Sequence, residues 1–86
     1  MTNVFHRTLE SALPMAVGGE GSYLLDAQGR RYLDASGGAA ISCLGHQHPT
    51  VVEAIKEQVG KLAYAHTSFF TSEPAEALAE LLVARA

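Results

Sequence analysis

At 86 residues the chain is at most one domain, of a size at which a single hydrophobic core only marginally supports a fold. Apolar residues make up 48% of it, the net charge is −3 and the six Lys and Arg are scattered, which excludes intrinsic disorder and leaves no electrostatic footprint for nucleic acid. Its one cysteine, Cys43, excludes an internal disulfide framework and a cysteine-based zinc site, and fits a reducing compartment.

The N-terminus MTNVFHRTLE carries charge and no apolar core region, so it does not read as a secretory signal, and no apolar run reaches the roughly 20 residues of a membrane helix. The expectation is a soluble, cytoplasmic protein with no nucleic-acid and no membrane partner. From Met1 to Gly19 the apolar Val4, Phe5, Leu9, Leu13 and Met15 are broken by Pro14 and Gly18-Gly19, so residues 1–21 read as an N-terminal arm. The run Gly18-Gly19-Glu20-Gly21-Ser22 leads into a strand rather than a helix, so it reads as a flexible lead-in and not as a phosphate loop.

Residues 22–72 then read as a hairpin, a short strand and a helix. In SYLLDAQGRRYLD, Ser22–Leu25 pairs with Arg31–Asp34 around a turn that Asp26 opens and Gly29 completes at positive φ. The small apolar run Gly37 to Cys43 reads as a third short strand with Ile41 and Cys43 on one face. After HQHP, Val51, Val52, Ile55, Val59 and Leu62 recur at helical spacing; Pro49 suits the first turn and Glu57 with Lys61 makes an i,i+4 pair, giving a helix over about 49–62.

Ser72-Glu73-Pro74 starts a second helix over 73–86, with Ala77, Leu78, Leu81 and Leu82 on one side. It reaches Arg85-Ala86 without a Gly, Asn or Pro, and so reads as a helix cut within a longer chain. Its leucine face needs something to bury it, either a continuation or a partner.

Few residues carry chemistry of their own. His46 and His48, with His66 or Asp34, are conceivable metal ligands, yet two histidines beside a helix start more often serve packing. Ser36, Ser42 and Ser68 lack a G-x-S-x-G setting, and Asp26 and Asp34 sit where a turn or strand end places Asp. Cys43 reads as a small buried apolar residue. Phe69-Phe70, in the polar loop AYAHTSFFTS, reads as a packing or interface element.

The run EGSYLLDAQGRRYLDASGGAAISCLGHQHPTVVEAIKEQ followed by YAHTSFFTSEPAEALAELL resembles the N-terminal part of class III aminotransferases, pyridoxal-phosphate enzymes of fold type I that include the ω-transaminases. The motifs fall in family order from about Leu13 to Ala86: G-x-Y-L-x-D-x-x-G-R-R-Y-L-D, a small-residue stretch, L-G-H-x-H-P, an A-I-x-x-Q helix and an E-P-A-x-x-L-A-E-L-L helix. The resemblance implies an α+β segment of the small domain, made of an N-terminal arm, a short antiparallel β-meander and two helices. The large domain, with the loop that holds the cofactor phosphate, the Asp that pairs with the pyridine nitrogen and the Schiff-base Lys, would lie beyond Ala86.

It further implies amino-group transfer from an amine or amino acid to a keto acid, with pyridoxal 5'-phosphate in the complete enzyme and none bound by this chain alone. The remainder of the enzyme chain is then its partner, and the complete enzyme a homodimer. By resemblance, Gly38, Ala39 and Ala40 line the substrate pocket, Phe69 and Phe70 fall on a loop that reaches the neighbouring subunit's site, and Met15 and Val17 fall on the arm as candidate substrate contacts. No catalytic, cofactor-binding or metal-binding residue is carried over. Where ornithine-type members place Tyr at the Ala39 or Phe70 position this chain has none, which implies a preference for bulkier or apolar substrates over short diamines. Two readings from other classes stay open: a stand-alone α+β interaction module using the leucine face and the Phe69-Phe70 loop, and a metal-binding module on His46, His48 and His66.

Overall fold

In the computed structural model, which describes residues 2–86, three strands and three helices follow in the order β1 (Ala16–Glu20), β2 (Tyr23–Asp26), β3 (Arg31–Leu33), α1 (Gly37–Ala40), α2 (Pro49–Lys61) and α3 (Glu73–Arg85). The chain divides into two units at residues 51 and 52. The first holds an antiparallel sheet of order β1-β2-β3.

The β2–β3 hairpin forms as its turn chemistry dictates. Asp26 Oδ1 accepts the Gln28 and Arg30 backbone N–H groups, each at 2.9 Å, and Oδ2 accepts the Tyr32 hydroxyl at 2.8 Å. Gly29 supplies the turn's positive φ of 81°. Burial pushes the Asp26 carboxyl up, but the Arg30 N–H, the Tyr32 hydroxyl and the Gln28 N–H together hold it below the usual carboxylate value. At 4% exposure Asp26 is the one residue buried among those described. Across the pair Tyr23 faces Leu33 and Leu24 faces Tyr32, while the Arg31 guanidinium lies 4.1 Å over the Tyr23 ring.

The third strand of the meander is not Gly37–Cys43 but β1, formed by the last residues of the expected arm. Glu20 pairs with Tyr23, Gly19 with Leu24 and Gly18 with Leu25; the register then breaks so that Ala16 faces Asp26, which leaves Val17 as the extra residue of a bulge. Two glycines make a poor strand by propensity, and close packing explains their presence. A Cβ on Gly19 would stand 2.7 Å from the Cβ of His46. His46 and Gly21 in turn exchange both backbone bonds, at 2.7 and 3.2 Å, so the supposed flexible lead-in is a docking strip for the residues after α1.

Gly37–Cys43 fails as a strand because its backbone turns left-handed. All four residues of α1 have positive φ: Gly37 66°, Gly38 58°, Ala39 62° and Ala40 70°. Ile41 and Ser42 both donate their backbone N–H to the Gly37 carbonyl, at 2.8 and 3.0 Å. Glycine occupies this region freely, whereas each alanine there costs roughly 1–2 kcal/mol.

From α2, whose first turn spans the division, to α3 the periodic sequence folds as read. Helix α2 carries the Lys61–Glu57 pair at 3.4 Å and a Lys56–Glu53 pair at 3.1 Å, and the Gln58 side chain caps the Leu62 carbonyl at 3.0 Å. Helix α3 starts from an extended Ser72, with Pro74 in its first turn. The Ser72 hydroxyl makes no cap bond; the Thr71 hydroxyl instead donates to Glu76 Oε1 at 2.6 Å. Val51, Ile55, Val59 and Leu62 of α2 and its end, and Leu78, Leu81 and Leu82 of α3, are exposed, and no apolar side chain among the described residues is buried.

Gly19→Ala is therefore expected to lower folding stability by about 1–3 kcal/mol, because the new methyl must displace His46. Gly60→Ala, with nothing near its Cβ, is the control expected to leave the thermal midpoint unchanged or raise it.

Candidate functional site

The first unit gathers its polar side chains around Asp34, the residue after β3. Its backbone N–H donates to the Ser22 carbonyl at 2.8 Å, fixing it to the start of the hairpin. Its Oδ2 accepts the Ser42 hydroxyl at 2.7 Å and meets His46 Nε2 at 2.7 Å. The Ser36 hydroxyl lies at 3.5 Å from Oδ1. The Asp34 side chain is 8% exposed and that of His46 21%. The Ser42 hydroxyl, then the His46 ring, hold the Asp34 carboxyl below its usual value against the opposing effect of burial.

This arrangement clamps α1 at both ends. Ser42 is eight positions from Asp34 and His46 is twelve, and the chain between must reverse within that span. His46 is itself fixed through its two backbone bonds to Gly21. Gly45, at φ 84°, brings the chain so close that a Cβ there would lie 3.1 Å from the Gly21 carbonyl oxygen. The left-handed turn is thus held between β3 and the Gly45-His46 docking point.

Gly38, Ala39 and Ala40 share this turn. Met15 immediately precedes β1 and donates no side-chain bond, but its carbonyl accepts the Ala27 N–H at 2.9 Å; Val17 is the bulge residue, and both side chains are exposed. Phe69 and Phe70 belong to the other unit and diverge within it. The Phe69 ring packs on His66 with centroids 5.3 Å apart, and Phe70 lines an open groove of about 440 Å³ with Leu62, Tyr64 and Pro74. Tyr64 meets the His66 ring edge-on at 6.5 Å, and His66 Nδ1 accepts the Ser68 N–H at 3.1 Å.

The other sequence readings resolve on geometry. Ser42 and His46 both point at the same Asp34 oxygen rather than at each other, so they form no nucleophile and base pair. His46 meets Asp34 through Nε2, and among the described residues no group of three His, Cys, Asp or Glu is placed to hold a metal. Cys43 is exposed, not buried; its thiol lies 3.5 Å from the Ala40 carbonyl. Asp34 is more than a strand-end residue. The available signal was an Asp followed by Ser36, Ser42 and His46 across a run of glycine and alanine able to fold back.

A family model described as aminotransferase class-III matches residues 5–86. The acetylornithine aminotransferase of Mycolicibacterium smegmatis is 52% identical over 68 residues, 78% of this chain and 17% of its own length. Among solved structures, the adenosylmethionine-8-amino-7-oxononanoate aminotransferase from Methanocaldococcus jannaschii superposes with a TM-score of 0.83 at 33% identity, covering 98% of this chain and 20% of that one. The taurine:2-oxoglutarate aminotransferase from Bifidobacterium kashiwanohense, in complex with PLP and glutamate, gives 0.79 at 34% identity over 96% of this chain and 18% of that one. The chain spans 17% of the length of such curated relatives. No helix among the described residues is long and apolar enough to cross a membrane.

The lowered Asp26 and Asp34 values set the acid response. Their contribution is complete above the ordinary aspartate value of 3.8 and is lost as pH falls below it towards the folded values. Circular dichroism followed from pH 6 to about pH 2 is expected to show unfolding in that lower window. Asp34→Asn should flatten the transition, and an unchanged acid profile in that variant would contradict the Asp34 assignment.

Proposed function

Because the chain belongs to the class-III aminotransferase family, we propose that it forms the N-terminal part of a pyridoxal-phosphate-dependent enzyme that moves an amino group from an amine or amino acid to a keto acid. Its role there is to supply a wall of the substrate pocket and contacts across a homodimer, in the cytoplasm, with no activity by itself. The observation that carries the reading is the likeness over 98% of this chain to an enzyme of which it covers 20%. The exposed faces of α2 and α3 agree with it, since full burial of a leucine contributes roughly 1.5–3 kcal/mol, of which these half-exposed leucines have realised only part.

The cofactor supplies the electron sink of this chemistry, and the residues described here do not fit it. Both lysines of the chain lie on α2, 68% and 63% exposed, and both are ion-paired to glutamates one turn away. A Schiff-base lysine needs a desolvated amine. The Gly18–Gly21 run is taken up by β1 and its bonds to His46, so it cradles no phosphate. The cofactor is held elsewhere in the enzyme, and this chain's part is to shape the space beside it.

Gly38, Ala39 and Ala40 are the wall, Phe69 and Phe70 the contact with the neighbouring subunit's site, and Met15 and Val17 the arm's substrate contacts. A wall of glycine and alanine leaves volume, which favours bulkier or apolar donors over short diamines.

Placed in the M. smegmatis enzyme in place of its matching segment, the chain is expected to give a cofactor-loaded dimer that transfers amino groups. The 86-residue chain alone is expected to show neither transfer nor a stoichiometric absorbance band of lysine-bound cofactor. Activity of the isolated chain, or loss of activity in the substituted enzyme with cofactor bound, contradicts the proposal. In that enzyme Ala39→Tyr is expected to lower kcat/KM for acetylornithine about tenfold relative to ornithine, and an unchanged ratio removes Ala39 from the pocket wall.

A further inference from the structure

We propose that Asp34 is a positioning residue: through Ser42 and His46 it holds the Gly37–Ala40 turn in its left-handed form, and so sets the course of the backbone that walls the substrate pocket. The inference rests on the reading of Gly38–Ala40 as that wall.

The turn does not sustain itself. Ala39 and Ala40 sit at φ 62° and 70°, where an L side chain crowds its own backbone, and a right-handed path is open to both. The two bonds inside the turn end on a single acceptor, the Gly37 carbonyl. What excludes the relaxed path is closure from outside. Asp34 is fixed by its N–H to Ser22, and its carboxylate draws in Ser42 directly after the turn and His46 four residues further on. His46 cannot follow a drifting turn, because its backbone is bonded twice to Gly21 and its Cβ seats against Gly19. The strain and its restraint lie side by side, an arrangement that proteins maintain where a backbone path matters to function.

The test uses the chain set in the M. smegmatis acetylornithine aminotransferase and reads the ratio of kcat/KM for acetylornithine to that for ornithine. Asp34→Ala is expected to shift that ratio about tenfold, with cofactor bound and its spectrum unchanged, and Asp34→Asn, which keeps an acceptor oxygen, to fall between. In an Ala39→Gly/Ala40→Gly background, where the left-handed form costs little, the shift caused by Asp34→Ala is expected to shrink. An unchanged ratio in Asp34→Ala, equal losses on both donors, or a shift of the same size in the glycine background overturns the proposal and leaves Asp34 a purely structural residue. If Asp34→Ala does not assemble, Ser42→Ala carries the test: it leaves the His46 contact in place and must shift the ratio in the same direction, and an unchanged ratio overturns the proposal. Failure of the pocket-wall reading itself is separate, since the parent enzyme would then show no response of the ratio to Ala39→Tyr.

Discussion

The Asp34 carboxylate accepts the Ser42 hydroxyl and meets the His46 ring at one oxygen, and the arrangement of the first unit follows from that convergence. It decides where β3 ends, obliges the following residues to reverse, and brings Gly45 and His46 against Gly19 and Gly21. Asp26 does the same at the other end of the hairpin, gathering two backbone N–H groups and the Tyr32 hydroxyl. Two carboxylates, each with its donors satisfied, give this unit its order in the absence of a buried apolar side chain among the described residues.

Magnitudes favour the proposal that places this segment within something larger. Two alanines in left-handed geometry cost roughly 2–4 kcal/mol together, and ordering each residue of a chain costs about 1–2 kcal/mol of backbone entropy. Polar hubs specify a path but do not offset costs of that size; apolar burial does, and here it is still to be made. Leu78, Leu81 and Leu82, with Ile55 and Val59, are the surfaces on which that burial waits. The chain spans 17% of the length of its curated relatives, and on the proposed reading the rest of such an enzyme would supply that burial.

Much of the fold was legible where a local rule decides it. Asp26 and Gly29 named the hairpin turn, Pro49 and the Val-Val-Ile-Val-Leu spacing named α2, and Ser72-Glu73-Pro74 named the start of α3, although Thr71 rather than Ser72 carries the side-chain bond there. The β1 strand was not legible, because Gly18 and Gly19 are chosen for the approach of His46 from beyond the hairpin and not for strand propensity. Gly37–Cys43 reads as a strand for a related reason: glycine and alanine carry no sign of φ, and the contacts that close the turn, from Asp34 to Ser42 and His46, lie outside the run or at its edge. The proposed wall residues Gly38, Ala39 and Ala40 rest on family resemblance alone, while the side chains that hold their turn, Asp34, Ser42 and His46, read in the sequence as ordinary strand-end and loop residues.

On the proposed reading, the order of α2 and α3 depends on apolar surfaces outside this segment. Amide hydrogen exchange on the isolated chain and on the same residues within the M. smegmatis enzyme measures that dependence residue by residue. The expected result is near-unprotected exchange across Pro49–Lys61 and Glu73–Arg85 in isolation and strong protection in the enzyme. Full protection of both helices in the isolated monomer would contradict it.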